Sequence, residues 1–384
     1  MKIKLPNAQG VSEAYSLKCE PLPIRKPRAP FNRMAFAAAH VVADPLTESD
    51  PSGSPAVDWD RTLAYRSYLL DLGFGIAEAM DTSQRGMGLD WLKALELIGH
   101  SLTSAGKRAG MIYSGCGTDQ LPASAARSLD DVIGAYLDQL HAIQKLNGRI
   151  ILMASRALVK MAKSPDDYVK VYSRVLAEAD HPVILHWLGD MFDPALKGYW
   201  GSPDFTTAME TCLAAIDGSR NKVDGIKISL LDDHKEIVMR RRLHPSVKMY
   251  SGDDFNYPDL IAGDSQGYSH ALLGIFDAIA PAASGALAAL AKGNMIAYSK
   301  LMAPTVPLSR LIFRSPTQYY KTGIVFLAWL NGHQDHFIMV GGAQSMRPLP
   351  YFTSIFKLAD EAGLLADPEL AVKRMKQMLV LYGT

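Results

Sequence analysis

The chain has 384 residues, 48% of them hydrophobic and 21% charged, with a formal net charge of +1. This balance excludes a disordered chain, supplies ample core for one large domain or two, and offers no global field for nucleic acid or a membrane surface. The expected partners are therefore small molecules. Cys19, Cys116 and Cys212 are widely spaced with no CxxC pair, which argues against a disulfide framework or a cysteine zinc site and fits a reduced, cytoplasmic compartment. Residues 1–6 lack the apolar core of a signal peptide, and the Ala/Leu-rich run 278–291 is too short to span a bilayer, so the chain reads as soluble.

Residues 1–32 are rich in Pro and Lys/Arg without a clear period and read as an arm packed on the outside. From residue 33 short apolar runs alternate with longer amphipathic ones. Strands are predicted at 34–42, 74–79, 110–114, 149–154, 183–186, 223–229, 247–250 and 268–275, with helices at 59–72, 89–102, 128–146, 166–179, 205–216, 233–242 and 257–261 between them. Eight strands alternating with helices predict a parallel (β/α)8 TIM barrel over 33–296. An open doubly wound sheet is the rival, but no Gly-x-Gly-x-x-Gly turn follows the first strand. Helices predicted at 282–291, 317–330, 351–362 and 368–382 exceed what barrel closure requires, so 297–384 reads as a C-terminal helical extension.

Lys227 lies in Val223-Asp224-Gly225-Ile226-Lys227-Ile228-Ser229, a β-branched run that reads as a buried parallel strand carrying one amine. Burial disfavours the ammonium form and frees an amine to attack a ketone and form a Schiff base. The plain alternative is an ion pair with Glu78 or Asp253.

Gly225-Ile226-Lys227 on the sixth barrel strand, Ser251-Gly252-Asp253-Asp254 on the seventh, Val57-Asp58 before the first helix and the turn Arg347-Pro348-Leu349-Pro350 fall in one order along the chain. With them the sequence resembles the dihydrodipicolinate synthase/N-acetylneuraminate lyase superfamily of class I aldolases, as a distant branch, from about Arg33 to Gly363. The resemblance implies a lyase of carbohydrate metabolism that needs no cofactor and no metal, with Lys227 as the Schiff-base lysine. It also implies a homo-oligomer.

Departures from the family pattern bear on substrate. His186 stands where the family carries a tyrosine at the end of strand five, and imidazole is able to perform the same proton relay, which makes His186 the candidate general acid/base. Ser155 and Tyr113 are next in line, and a core histidine is the alternative. Where the family has Gly-Thr-Thr-Gly-Glu after strand two, this chain has Met80-Asp81-Thr82-Ser83-Gln84-Arg85; Thr82 and Ser83 keep donors, while Asp81 repels a carboxylate unless Arg85 compensates. Met191 occupies the place of an arginine of the synthases. The extra loop 193–200, with Tyr199 and Trp200, either stacks on a sugar ring or packs on its own aromatics.

Polar residues at strand ends complete the candidate list, because barrel sites gather at the C-terminal ends of strands. Glu78, Ser155, Asp253 and Ser269 join Thr82, Ser83 and Arg85 as expected substrate contacts. His40, Glu78, His186 and Asp253 are the possible ligands of a metal-dependent sugar isomerase or lyase, the main rival, although no His-x-His or His-Glu-x-x-His spacing supports it. Cys116 reads as a packed thiol, and His333 and His336 as solvated loop residues. The resulting expectation is a Schiff-base aldolase, lyase or dehydratase for a 2-keto sugar acid or related keto sugar; a non-catalytic sugar-binding barrel is the third reading.

Overall fold

The computed structural model describes residues 1–7, 9–48 and 53–384. Strands β1 (Lys2–Pro6) and β2 (Ser12–Ser16) pair as an antiparallel hairpin. Eight further strands, β3 (Ala35–Ala38), β4 (Gly75–Glu78), β5 (Ile112–Cys116), β6 (Arg149–Leu152), β7 (Val183–Leu188), β8 (Val223–Ser229), β9 (Lys248–Ser251) and β10 (His270–Leu273), form a closed barrel in chain order. Every neighbour is parallel, and Ala271 of β10 pairs with Ala35 of β3 to close the ring. The expected (β/α)8 barrel is thus the fold, followed by a C-terminal run of helices. Short strands covered on both faces explain the near-continuous apolar runs in the sequence.

The first and the last barrel strands are much shorter than the sequence pattern predicts. Beyond Ala38 the backbone leaves the ladder, because the N–H groups of His40 and Val42 donate to the side chains of Asp277 (2.8 Å) and Thr62 (3.0 Å). After Leu273 the chain turns at once into the helical segment Ile275–Ala278. Helix starts follow the local capping rules: Asp58, the acidic half of Val57-Asp58, accepts the Arg61 N–H at 2.9 Å, and Ser128 forms a capping box with Asp131.

The helices after the barrel include two that the sequence reading missed, Met295–Met302 and Thr305–Ile312. Helix Tyr320–Leu330 is buried on every face, which fits its lack of an amphipathic pattern. The N-terminal arm is tied to this C-terminal part of the chain: Tyr15 Oη donates to Asp360 at 2.7 Å, the Lys18 N–H donates to the same carboxylate at 2.8 Å, and Leu22 N–H reaches the Gly363 carbonyl at 2.8 Å. The loop before helix Tyr320–Leu330 is held by buried Arg347, which donates to the carbonyls of Arg314 (2.8 Å) and Pro316 (2.8 Å). Arg347 therefore serves as a clamp on the segment that brings Tyr320 and Lys321 over the barrel.

Candidate active site

The register of β7, β8 and β9 sets His186 beside Lys227 and Lys227 beside Tyr250. Lys227 is 7% exposed, and among the described residues no carboxylate oxygen lies within 4.0 Å of its amine. Burial lowers its pKa from the ordinary lysine value, and the fields of Asp254 and Asp81 only partly oppose this. The alternative, an ion pair with Glu78 or Asp253, is not formed. Both oxygens of Glu78 accept from Arg66 at 2.8 Å, with Ser101 Oγ at 2.6 Å, on the helix side of β4. Asp253 closes a turn by accepting the N–H groups of Phe255 (2.8 Å) and Asn256 (3.0 Å). The acid that acts on Lys227 is the next residue, Asp254, whose carboxyl burial pushes up to about 7.

His186 is fully enclosed, with Nε2 3.1 Å from Ser229 Oγ and Nδ1 without a hydrogen-bond partner among the described residues. Burial, reinforced by the charge of Lys227, holds its pKa well below the ordinary histidine value, so the ring is neutral at pH 7. His186 lines a cavity of about 280 Å³ at the C-terminal ends of the strands, together with Asp81, Arg85, Asp119, Phe192 and Lys321. This is the mouth of the barrel, where the fold gathers residues from several loops.

Arg85 reaches that cavity but is committed to the protein. Its five N–H donors are all taken: Nε and one terminal nitrogen hold Asp119 at 2.8 and 2.7 Å, Gln139 accepts at 2.7 Å, and the carbonyls of Ala79 and Gly115 accept at 3.2 and 3.0 Å. Arg85 therefore has no donor left for Asp81 or for a substrate carboxylate. Lys321, which is 5% exposed and comes from the C-terminal helices, does feel the field of Asp81.

The hydroxyl residues divide similarly. Thr82 Oγ1 lies 2.7 Å from the Tyr320 hydroxyl, whereas Ser83 Oγ donates to the Ala39 carbonyl at 2.6 Å and is fully buried. Ser155 caps the helix Arg156–Met161 and is 2.6 Å from Thr118 Oγ1. Ser269 donates to Glu236 at 2.7 Å on the helix side of the barrel, away from the mouth. Tyr113 packs with Phe36 and Tyr250 and, with Phe36, lines a separate cavity of about 570 Å³ at the N-terminal ends of the strands, so it is not a reserve relay.

The aromatic loop takes its second option. Trp200 is wholly buried among Tyr168, Tyr172 and Trp187, and Tyr199 Oη is 2.9 Å from Tyr172 Oη. Cys116 is a packed thiol whose pKa burial pushes up to about 12. His333 packs edge-on against Tyr65 and tilted against Tyr68, with ring centroids 4.8 and 4.6 Å away, and is not the solvated residue expected. His40 Nδ1 is 2.8 Å from Asp277. Among the described residues, no group of three or more His, Cys, Asp or Glu side chains is arranged to hold a metal ion. No helix among them is long and apolar enough to cross a membrane.

Tyr320, Lys321 and Asp254 were missed from sequence. Lys321 sits in the run Gln318-Tyr319-Tyr320-Lys321-Thr322-Gly323-Ile324-Val325, where a lysine entering an apolar helix was the available signal.

A closed parallel barrel with a buried lysine on its sixth strand defines the class: the chain has the fold of the dihydrodipicolinate synthases. It superposes on the dihydrodipicolinate synthase from Aquifex aeolicus with a TM-score of 0.63 at 12% identity, covering 87% of this chain and 99% of that one. YagE, a prophage protein of the dihydrodipicolinic acid synthase family from E. coli K12 solved with pyruvate, gives a TM-score of 0.67 at 13% identity over 87% and 99% of the two chains. The chloride-inhibited synthase from Acinetobacter baumannii, complexed with pyruvate, gives 0.61 at 16% over 86% and 99%. Over residues 3–384 the chain belongs to the family described as protein of unknown function DUF993. No curated protein matches it.

Proposed function

We propose that the protein is a class I aldolase or lyase that forms a Schiff base through Lys227 with a 2-keto sugar acid or related keto sugar. The observation that carries this reading is the Lys227 amine: buried on the sixth strand, held below its ordinary pKa, and without a carboxylate within 4.0 Å among the described residues. A structural lysine at such a position costs stability unless it is paired, and an unpaired one is best explained by reactivity.

The neutral amine adds to the substrate ketone to give a carbinolamine, and loss of water gives the iminium, which draws electrons from the adjacent bond as that bond breaks. Hydrolysis of the resulting enamine returns the amine and releases product. Asp254, with its carboxyl near 7, suits removal of the ammonium proton from Lys227, and neutral His186 suits acceptance of a proton from substrate. Helix Tyr320–Leu330 brings Lys321 to the lining of the mouth cavity. The test is borohydride trapping against a panel of 2-keto acids and keto sugars, read by intact mass. Stable mass addition at Lys227, abolished by Lys227→Ala, is expected; addition at another lysine, or turnover retained in the variant, rejects the mechanism.

A further inference from the structure

Three cationic side chains line the mouth among the described residues: Arg85, Arg156 and Lys321. Arg85 has no donor left. Arg156 is an exposed side chain paired with Asp193 at 2.6 Å. Lys321 differs from both. Its Nζ donates to the Gln318 carbonyl at 3.0 Å and meets the weakly accepting Met87 sulfur at 3.2 Å, while no carboxylate oxygen of the described residues lies within 4.0 Å. An ammonium has three donors, and these contacts leave it without a counter-ion in a site that is 5% exposed.

We infer that Lys321 is the anion subsite of the barrel mouth and receives the carboxylate of an acid substrate whose ketone is presented to Lys227. This rests on the Schiff-base reading for the ketone end alone. A buried ammonium without a partner is costly, and an arriving carboxylate offsets that cost through a charge-assisted hydrogen bond. Burial accordingly pushes Lys321 down to about 8, with Asp81 and Asp193 pulling partly the other way; a bound anion adds to their pull. A neutral keto sugar offers hydroxyls but leaves the charge uncompensated. The subsite therefore selects the sugar acid over the neutral sugar.

The experiment uses ligands that have no ketone, so that it does not depend on Lys227 chemistry. Gluconate and its neutral counterpart sorbitol are titrated against the full chain at pH 7 while the thermal midpoint is followed. Gluconate is expected to stabilise the wild type and sorbitol to have little effect. Lys321→Gln should weaken the gluconate response at least tenfold, and Lys321→Arg should retain part of it and confirm that the site still folds. Equal stabilisation by both ligands, no response to gluconate in the wild type, or an unchanged response in Lys321→Gln overturns the inference. Borohydride mass addition at Lys321 also overturns it, since an amine that forms the imine is not the anion subsite. Trapping at Lys227 with neutral ketoses but not with acids removes the subsite and leaves the Schiff base standing. A Lys321-dependent gluconate response without any trapping does the reverse.

Discussion

Gly252, the residue just past β9, closes on the side chain of Lys227 in β8: a Cβ at position 252 would stand 2.8 Å from Lys227 Cε, and also 2.3 Å from Ser229 Oγ and 2.6 Å from the Ile228 carbonyl. The glycine of Ser251-Gly252-Asp253-Asp254 thus makes room for the lysine side chain. Gly252→Ala should destabilise the fold by about 1–3 kcal/mol, because backbone on the other side prevents simple relief. It should also cut borohydride trapping at Lys227 more steeply than it lowers the thermal midpoint. Unchanged trapping in a folded variant would count against this packing role.

The buried amine has a pH signature. Because the folded-state pKa of Lys227 is lowered, the unfolded chain binds more protons between that value and 10.5, and the penalty is full below the window and relieved as pH rises through it. Lys227→Met should therefore raise the thermal midpoint at pH 7, and the gain should shrink as pH approaches 10.5. Melting curves of the two proteins across pH 6–10 test this, and a variant less stable than wild type at pH 7 would contradict it.

His186→Phe should reduce turnover ~10²-fold or more while leaving trapping at Lys227 possible, as expected when a proton relay is removed but the amine remains. The acid limb of the wild-type rate profile should lie below pH 6.5, since burial and Lys227 keep the imidazole neutral above it. The same depression means that stability contributed by the neutral ring is lost as pH falls below the ordinary histidine value. Titration of the His186 ring by NMR gives the direct check.

Exhaustive chelation should leave trapping and turnover intact. Of the four ligands that the metal-dependent rival would use, three are separately engaged, His40 with Asp277, Glu78 with Arg66, and Asp253 with its own turn. Loss of activity with EDTA and rescue by Zn²⁺ or Mn²⁺ would favour the metal-dependent rival.

Arg85→Ala should cost about 3 kcal/mol or more, because it strips five hydrogen bonds from a buried network and leaves Asp119 and Gln139 facing each other without their cation. Chemical denaturation measures the loss. A change confined to substrate affinity, with stability unaltered, would return Arg85 to the substrate-contact role.

The alternation of short apolar runs with amphipathic helices determined the barrel, because each βα unit is specified by local periodicity and capping. For the same reason the burial of Lys227 was legible: a single amine in a β-branched run of seven residues has nowhere else to go. Local pattern does not say which strand-end group faces the lumen. Asp253 and Asp254 are adjacent in sequence, yet backbone N–H groups of the following turn hold the first and only the second acts on Lys227. Glu78 and Ser269 look like site residues because the sequence pattern puts both in strands, but Ser269 falls just ahead of β10 and both side chains point into the helix layer, where Arg66 and Glu236 bind them. Arg85 was legible as a cation at the mouth, whereas its exhaustion by Asp119, Gln139 and two carbonyls depends on contacts from other loops. Lys321 reaches the site from helices beyond the barrel, and no short-range signal carries that information. Only closure of the barrel and docking of helix Tyr320–Leu330 decide which charges are spent and which remain free, since long-range pairing in a buried site is set by geometry and not by neighbours in the chain.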